Sequence, residues 1–456
     1  MSSLSENPDT IVALATPDGE SAIAVVRMSG PLCEKLIQDL FPAPSPVKPR
    51  MMTLGYYKDL NQHTLDHLLY VYYPAPHSYT GEGMIEFFPH GNPFIIHKIR
   101  EDLLARGCRH AQPGEFTRRA FESGKLDLSQ AEAVAEIIGA RSQRALESAQ
   151  KRLSGALGDQ IQHYIQQLLH ILAQLEAYID FPEEDIPRED EEGPRLQLNN
   201  LINEMKRLQE TGRYHDMLNH GVKTMILGEP NAGKSSLLNV LLGNDRALVS
   251  EEPGTTRDLI TENLMIGPHQ IRIMDTAGLR KTESKLEKLG VEKTIENMRE
   301  ADFFLFVLDA TCENPSLTAE FEEMFHVEHA LIVENKNDLP GAYRHDDFYP
   351  EAPHIPLSAT KLTGLDELRN QWMQLLDKRL NPAGENRLTV SARHAEALDT
   401  ALEHLKLSAA MIEDESPTEL IASEINHAIH AMGEIAGPVE QDRMLDELFA
   451  NFCIGK

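Results

Sequence analysis

The chain has 456 residues, more than one hydrophobic core ordinarily holds, so two or three domains are expected. Lys and Arg number 43 against 72 Asp and Glu, a formal charge of −29 that excludes a protein coating polyanions through a generally basic surface. An apolar fraction of 41% excludes a disordered chain, and the longest apolar run, Phe303 to Leu308, falls far short of a membrane span of roughly 20 residues. The segment MSSLSENPDT lacks the basic and apolar regions of a signal peptide, and Cys33, Cys108, Cys312 and Cys453 form no C-x-x-C pair, so a reducing, cytoplasmic setting is expected.

In chain order, Ile11 to Leu14, Ala22 to Arg27, His67 to Tyr73 and Met84 to Phe88 read as strands, being short apolar runs bounded by Pro and Gly. Pro93 suits the first turn of a helix ending near Gly107, and the proline-dense stretch from Phe41 to Pro49 is a loop. At Asp127 the character changes. Ser129 with Glu132 has capping-box spacing, and Ile161, Ile165, Leu168, Leu169, Leu172, Leu175 and Ile179 recur at threes and fours. A helix from there to Asp180 would span about 75 Å, so a break near Gly155 and Gly158 is expected. That G-x-x-G pair is read as a helix break rather than an RNA-binding KH loop, because no strands flank it. Phe181-Pro-Glu-Glu-Asp opens an acidic connector, read as solvated linker.

From Val222 to Leu380 apolar runs alternate with helical patterns: Met225 to Leu227, Ile271 to Met274, Phe303 to Leu308, Leu331 to Val333 and Ile355 to Leu357. Alternation at this spacing predicts a parallel sheet with helices on both faces. Helical periodicity returns from Ser391 to Phe452, so an α/β module is expected as an insertion between two helical arms.

Gly228-Glu-Pro-Asn-Ala-Gly-Lys-Ser235 matches G-x-x-x-x-G-K-[ST] between a strand and a helix. Its backbone N–H groups would cradle phosphates, Lys234 would neutralise the β and γ phosphates, and Ser235 would hold Mg²⁺. Asp275-Thr-Ala-Gly278 follows a strand, where the carboxylate would orient Mg²⁺ and the Gly278 amide would meet the γ-phosphate. Asn335-Lys336-Asn337-Asp338 matches N-K-x-D, whose aspartate accepts from guanine N1 and N2, and Ser358-Ala359-Thr360 stands where a backbone loop meets the guanine oxygen. Four motifs in order make the nucleotide GTP. Hydrolysis needs a group that positions water, and Leu279, just after D-x-x-G, cannot do so. Thr256 is the expected switch ligand of Mg²⁺, and Arg257 is either a cis arginine finger or a partner of Asp258. Among the acids that follow, Glu283, Glu287, Glu292 and Glu296, spacing alone singles out none.

Beyond this module, T-I-V-A-L-A-T-P (10–17), Y-T-G-E (79–82), G-K-L-D-L-S-Q-A-E (124–132), F-P-E-E-D (181–185) and C-I-G-K (453–456) give the whole chain a second set of marks. In combination they resemble the MnmE (TrmE) family of tRNA wobble-uridine modification GTPases. The resemblance implies an N-terminal α/β tetrahydrofolate-binding and dimerisation domain (1–125), a discontinuous helical domain (126–220 and 381–456) and an inserted Ras-like P-loop G domain (221–380). It implies nucleotide contacts from Asn231, Ala232, Gly233, Lys234, Ser235 and Ser236, from Ser250, Glu251, Glu252, Pro253, Gly254, Thr255 and Thr256, from Asp275, Thr276, Ala277 and Gly278, and from the two guanine motifs. Potassium would be bound by Asn231, Ser250, Glu252 and Thr255, standing in for an arginine finger. Glu252 departs from the family, where an apolar residue is usual. The water-orienting acid implied is Glu287.

The resemblance further assigns a tetrahydrofolate derivative, in 5-formyl or methylene form, to Arg27, Glu82, Lys125 and Lys456, with Gly83 replacing a bulkier residue. Cys453 is a candidate participant in the modification, since Gly455 and Lys456 do not fit a prenylation motif. The partners implied are tRNA, a second copy of the chain, and an MnmG-type FAD- and NADH-dependent protein in a heterotetramer, with no membrane. Arg118, Arg119, Lys125, Arg141, Arg144, Lys151 and Arg152 outnumber the acids between them by two and form a candidate tRNA patch. The competing function, a ribosome-assembly GTPase acting as a binding switch, lacks the KH or second G module it would need.

Overall fold

The computed structural model describes residues 9–42, 47–180, 192–245, 262–274, 300–313, 329–380, 388–414, 416–437, 449–450 and 452–455. The chain divides into two compact units: Met1–Ile138 with Ala149–Met205 and Glu396–Lys456, and Gly139–Ser148 with Lys206–Ala395.

The first unit opens with β1 (Ile11–Leu14), β2 (Val26–Ser29), α1 (Cys33–Leu40), β3 (Thr53–Lys58), β4 (Thr64–Tyr73), β5 (Met84–Phe88), α2 (Pro93–Ala105), β6 (Arg109–His110) and α3 (Glu115–Glu122). Its sheet runs β3-β4-β5-β2-β1-β6, antiparallel except where β6 lies parallel to β1. Val26, Met28, Ile37, Tyr57, Ile85, Phe87, Ile99 and Leu103 fill one core. As expected, Pro93 starts α2, with Asn92 Oδ1 accepting from the Phe94 and Ile95 amides. Strand β2 begins later than the apolar run from Ala22 suggests, because Ile23 faces solvent and Ala24 bonds back to Pro89. Strand β3 gives no sequence signal: its outward residues, Leu54 and Tyr56, are apolar and exposed, which erases the alternation. Helix α1 escapes notice through its shortness, although Cys33, Leu36, Ile37 and Leu40 make a buried stripe at helical spacing.

The helical part follows as α4 (Leu128–Gly139), α5 (Gln143–Leu153), α6 (Ala156–Asp180) and α7 (Glu192–Gln209), with α8 (Gly212–His220) leading into the second unit. The capping box sits two residues earlier than Ser129 and Glu132. Asp127 Oδ1 accepts from the Gln130 amide at 2.7 Å, and Gln130 Oε1 accepts from the Asp127 amide at 2.9 Å. Ser129 is instead buried, with no hydrogen-bond partner for its hydroxyl. The helix breaks at Gly155, whose φ of +89° suits only glycine, while Gly158 continues inside α6. Leu169, expected in the apolar stripe, is exposed, and Ile171 takes a core place. The side chain of Ile179 and the acidic connector from Phe181 lie outside the described residues.

In the second unit, β7 (Val222–Leu227), α9 (Lys234–Asp245), β8 (Glu262–Ile266), β9 (His269–Ile273), β10 (Phe303–Asp309), β11 (Ala330–Asn335), β12 (His354–Pro356) and α10 (Leu365–Leu380) form an open sheet ordered β12-β11-β10-β7-β9-β8. All pairs are parallel except the edge pair β8–β9, whose β8 the apolar runs did not announce. Alternate residues of β10 face opposite cores, Leu305 and Val307 on one side, Phe304 and Phe306 on the other, so both faces are covered. The first unit's second helical arm is α11 (Ala392–Glu413) and α12 (Thr418–Ala436), of which α12 packs against α6.

The cap makes a discriminating prediction. Asp127→Ala, losing about 1 kcal/mol of N-cap stabilisation, should speed amide exchange of Gln130 about fivefold, whereas Ser129→Ala leaves it unchanged. Equal effects from the two substitutions would return the cap to Ser129.

Candidate functional site

Strand β7 delivers the chain into the phosphate loop at the C-terminal end of the parallel sheet, the usual place for ligands in this architecture. Gly228 has φ +136°, and a Cβ there would stand 2.1 Å from the Val307 carbonyl. Gly233 has φ +96°, and its Cβ would stand 2.1 Å from Asn335 Nδ2. Both positions need glycine for the close approach as well as the backbone angle. Asn231, also left-handed at φ +67°, is exposed, as are Ser235 and Ser236 in the first turn of α9. Lys234 is 5% exposed, and its Nζ donates to the Gly228 and Glu229 carbonyls at 2.7 and 2.6 Å. Burial pulls its pKa down, partly opposed by the charge of Glu229. A desolvated ammonium held only by neutral carbonyls gains when phosphate oxygens replace them.

Asn335 ends β11 and is 3% exposed. Its Nδ2 donates to the Ala232 carbonyl at 2.8 Å, and its Oδ1 accepts from the Ala359 amide at 3.1 Å. This one side chain therefore ties the phosphate loop to the loop Ser358-Ala359-Thr360. Lys336, at φ +64°, donates to Asp309 Oδ2 at 2.5 Å. Against the upward push of burial, hydrogen bonds from Lys336 and Thr311 hold the Asp309 carboxyl below its ordinary range. Asp309, the acid ending β10, was not singled out by any motif. Asn337 is exposed, with its amide donating to the Leu357 carbonyl at 3.1 Å, and Asp338 is exposed beside it. Ser358 is buried and its Oγ accepts from the Lys361 amide, while Thr360 is exposed. Ser250, Glu251, Glu252, Pro253, Gly254, Thr255, Thr256, Arg257, Asp275, Thr276, Ala277, Gly278, Leu279, Glu287 and Lys456 lie outside the described residues.

A second concave site lies in the first unit, a cavity of ≈ 550 Å³ whose lining includes Arg27, Arg50, Tyr73, Tyr79, Glu86 and Lys125. Arg27 Nε donates to Glu86 Oε1 at 2.8 Å, and its guanidinium stands 5.7 Å from the ring centres of Tyr79 and Phe116. Tyr73 Oη donates to Glu86 at 3.2 Å. Arg27 and Lys125 thus come together, but Glu82 does not line this cavity. Glu82 accepts from Ser29 Oγ at 2.7 Å and from Arg119 Nη1 at 3.1 Å. Glu86 carries no signal in the sequence, and Arg119 was singled out only as part of the basic segment, since folding alone brings them to these partners.

The C-terminal tail meets Arg27, one of the residues that line this cavity. Phe449 and Phe452 pack on Leu128 and Ala131, Ile454 pairs with Pro113, and Arg27 Nη1 donates to the Gly455 carbonyl at 3.3 Å. Cys453 is exposed on this tail. Of the candidate tRNA patch, Lys125 and Arg141 are exposed and Lys151 is half-buried. Arg119 and Arg152 are buried, Arg118 pairs with Glu122, and Arg144 pairs with Asp377. Burial pulls the Arg152 pKa down to about 10, beside Glu136.

Arg119 is 2% exposed and joins Glu82, Asp9 and Glu115, while Arg109 binds Asp9 and Glu115. The hydrogen bond from Arg109 leads in holding Asp9 below its ordinary range. Glu115 is pushed up by burial and brought below its ordinary 4.5 by Arg109, the Gln112 amide and Arg119. A depressed carboxyl contributes stability that is complete above the unfolded pKa and lost as pH falls through the folded one. Protection of α3 against amide exchange, corrected for intrinsic rate, should therefore hold down to about pH 5 and fall below pH 4.5. Arg109→Met should flatten that fall, and an unchanged profile would remove the network as its cause.

Family models and relatives both bear on kinship. A family model described as "MnmE helical domain" matches residues 128–453, and one described as "GTP-binding protein TrmE N-terminus" matches residues 10–125. A protein named tRNA modification GTPase MnmE from Opitutus terrae is 44% identical over 449 residues, covering 98% of this chain and 99% of that relative. Its namesake from Aquifex aeolicus is 40% identical over 453 residues, covering 98% and 100%. A third, from Akkermansia muciniphila, is 37% identical over 456 residues, covering 98% and 99%. With a phosphate loop and guanine-type loops at the sheet end, a discontinuous helical part and near-complete coverage by these relatives, the chain belongs to the MnmE family of tRNA modification GTPases.

Proposed function

We propose that this chain hydrolyses GTP as one subunit of a tRNA-modifying enzyme that, with an FAD- and NADH-dependent MnmG-type partner, adds an aminomethyl or carboxymethylaminomethyl group at C5 of wobble uridine 34. The observation that carries the nucleotide half is Asn335, whose amide joins the phosphate loop and the base loop at fixed spacing. On this reading Lys234 trades its two carbonyl partners for the β and γ phosphates, and the loop amides of Ala232, Gly233, Lys234 and Ser235 take the remaining oxygens at the N-terminus of α9. Exposed Asp338 accepts from guanine N1 and N2, and the backbone of the Ser358-Ala359-Thr360 loop meets its oxygen through the Thr360 amide, that of Ala359 being held by Asn335.

Exposed Ser235 suits Mg²⁺, with Thr256 and the outer-lying Asp275, and the ion neutralises charge between the β and γ phosphates when bound. The exposed Asn231 amide suits K⁺, with Ser250, Glu252 and Thr255, and the ion supplies positive charge where the leaving phosphate becomes more negative. Glu287 orients the attacking water that Leu279 cannot. In the first unit, the cationic and aromatic lining of the cavity, with Arg27 and Lys125, suits the flat heterocycle and anionic tail of a folate one-carbon carrier. Glu82, with Arg119, supports the cavity from behind, Lys456 extends the tail that Arg27 holds, and Cys453 is the exposed thiol nearest that end. The domain limits read as 1–125, 126–220, 221–380 and 381–456, with a cytoplasmic homodimer as the working form. No feature of the described residues favours the ribosome-assembly switch.

Asp338→Asn puts an amide donor against the two donors of guanine. It should weaken GTP binding about 10- to 100-fold, the range for losing hydrogen bonds to a charged group, while admitting xanthosine triphosphate. Unchanged GTP affinity, by calorimetry, would overturn the guanine assignment. The wider function is tested by mass spectrometry of wobble uridines in a strain lacking its own member of the family: this chain should restore the C5 modification, and Lys234→Ala should not. Restoration of GTPase activity without the modified base would sink the tRNA half alone.

A further inference from the structure

Among the described residues, one group of side chains outside both sites has the chemistry and spacing of a metal-binding set. His404 of α11 and Glu424 and His427 of α12 bring their ligand atoms within 4.8 Å of one another. His404 stands nine residues before the end of α11, and His427 nine residues after the start of α12. Antiparallel helices joined by a short turn bring such positions level. Glu424 and His427 are three apart, so both project from the same face of α12. His404 Nδ1 and Glu424 Oε2 lie 2.6 Å apart across the gap, and the two imidazole centres are 5.1 Å apart.

We propose that this triad is a binding site for a zinc-class divalent transition metal that staples α11 to α12. Two imidazoles and one carboxylate are a donor set for Zn²⁺, Co²⁺ or Ni²⁺; Mg²⁺ and Ca²⁺ prefer oxygen alone. Ligand bonds of about 2.0–2.2 Å need the three atoms to close by roughly 1 Å. The frame allows this: Leu405, Ile425 and Ala428 beside the triad are fully buried and fix both backbones, whereas exposed His427 is free to swing. The Ser408 hydroxyl donates to the His404 carbonyl and leaves the imidazole out of that bond. Three protein ligands leave a fourth position to water at the surface. When the metal takes His404 Nδ1 and Glu424 Oε2, the imidazole keeps its hydrogen on Nε2, and two ligand bonds replace the hydrogen bond between the side chains.

The test uses the full chain, stripped with chelator and free of nucleotide, titrated with Co²⁺ alone. The expected result is one Co²⁺ per chain with visible d–d bands, and loss of the bands when Zn²⁺ is added. His404→Gln and His427→Gln should each abolish the bands and the bound ion with helical circular dichroism unchanged. His430→Gln, on the same helix but outside the triad, should keep both. Co²⁺ bound equally well by the doubly substituted chain would overturn the proposal, as would loss of the site in His430→Gln. Since His427 is exposed, its variant isolates metal binding from folding even where His404→Gln disturbs the helix pair.

Discussion

The second unit turns on a single buried amide. Asn335 directs its nitrogen to the Ala232 carbonyl and its oxygen to the Ala359 amide, so two loops from distant strands share one rigid link. Gly233 leaves room for that amide, and any side chain there would collide with it. Because the side chain is buried, neither bond is exchanged cheaply for water, and the loops keep their spacing before any ligand arrives. Asn335 therefore serves as a scaffold between the two loops, and Asp338 stands exposed three residues on.

Strain and desolvation gather around the same point. Asn231, Gly233 and Lys336 all hold left-handed backbone, and Lys234 keeps a buried ammonium on neutral carbonyls. For Asn231 and Lys336 the backbone angle, and for Lys234 the desolvation, cost stability that a phosphate-bearing ligand would offset.

The first unit solves a different problem, joining distant segments around a cationic cavity. Arg27 meets Glu86, the rings of Tyr79 and Phe116, and the carbonyl of Gly455. Behind it, buried Arg119 is neutralised by Glu82, Asp9 and Glu115, as an arginine in that place must be. The C-terminal tail is anchored through Phe449 and Phe452, with Cys453 exposed on it.

What the sequence determined by itself was local. The phosphate loop, N-K-x-D and the Ser358 loop are contiguous, and their chemistry needs specific residues at fixed spacing, so they were legible, as were the strongly apolar strands β7, β9, β10 and β11. Elements whose residues lack contrast were not: β3 shows apolar side chains to solvent, and the α4 cap moved to Asp127 because burial claimed Ser129. Only tertiary structure decided that Glu86 rather than Glu82 lines the cavity, that Asp309 holds Lys336, and that His404 meets Glu424 and His427. In each case the partners come from separate elements. Which charged side chain faces which is set by how those elements pack, since an isolated Glu or His has the same intrinsic preference for water wherever it stands in the chain.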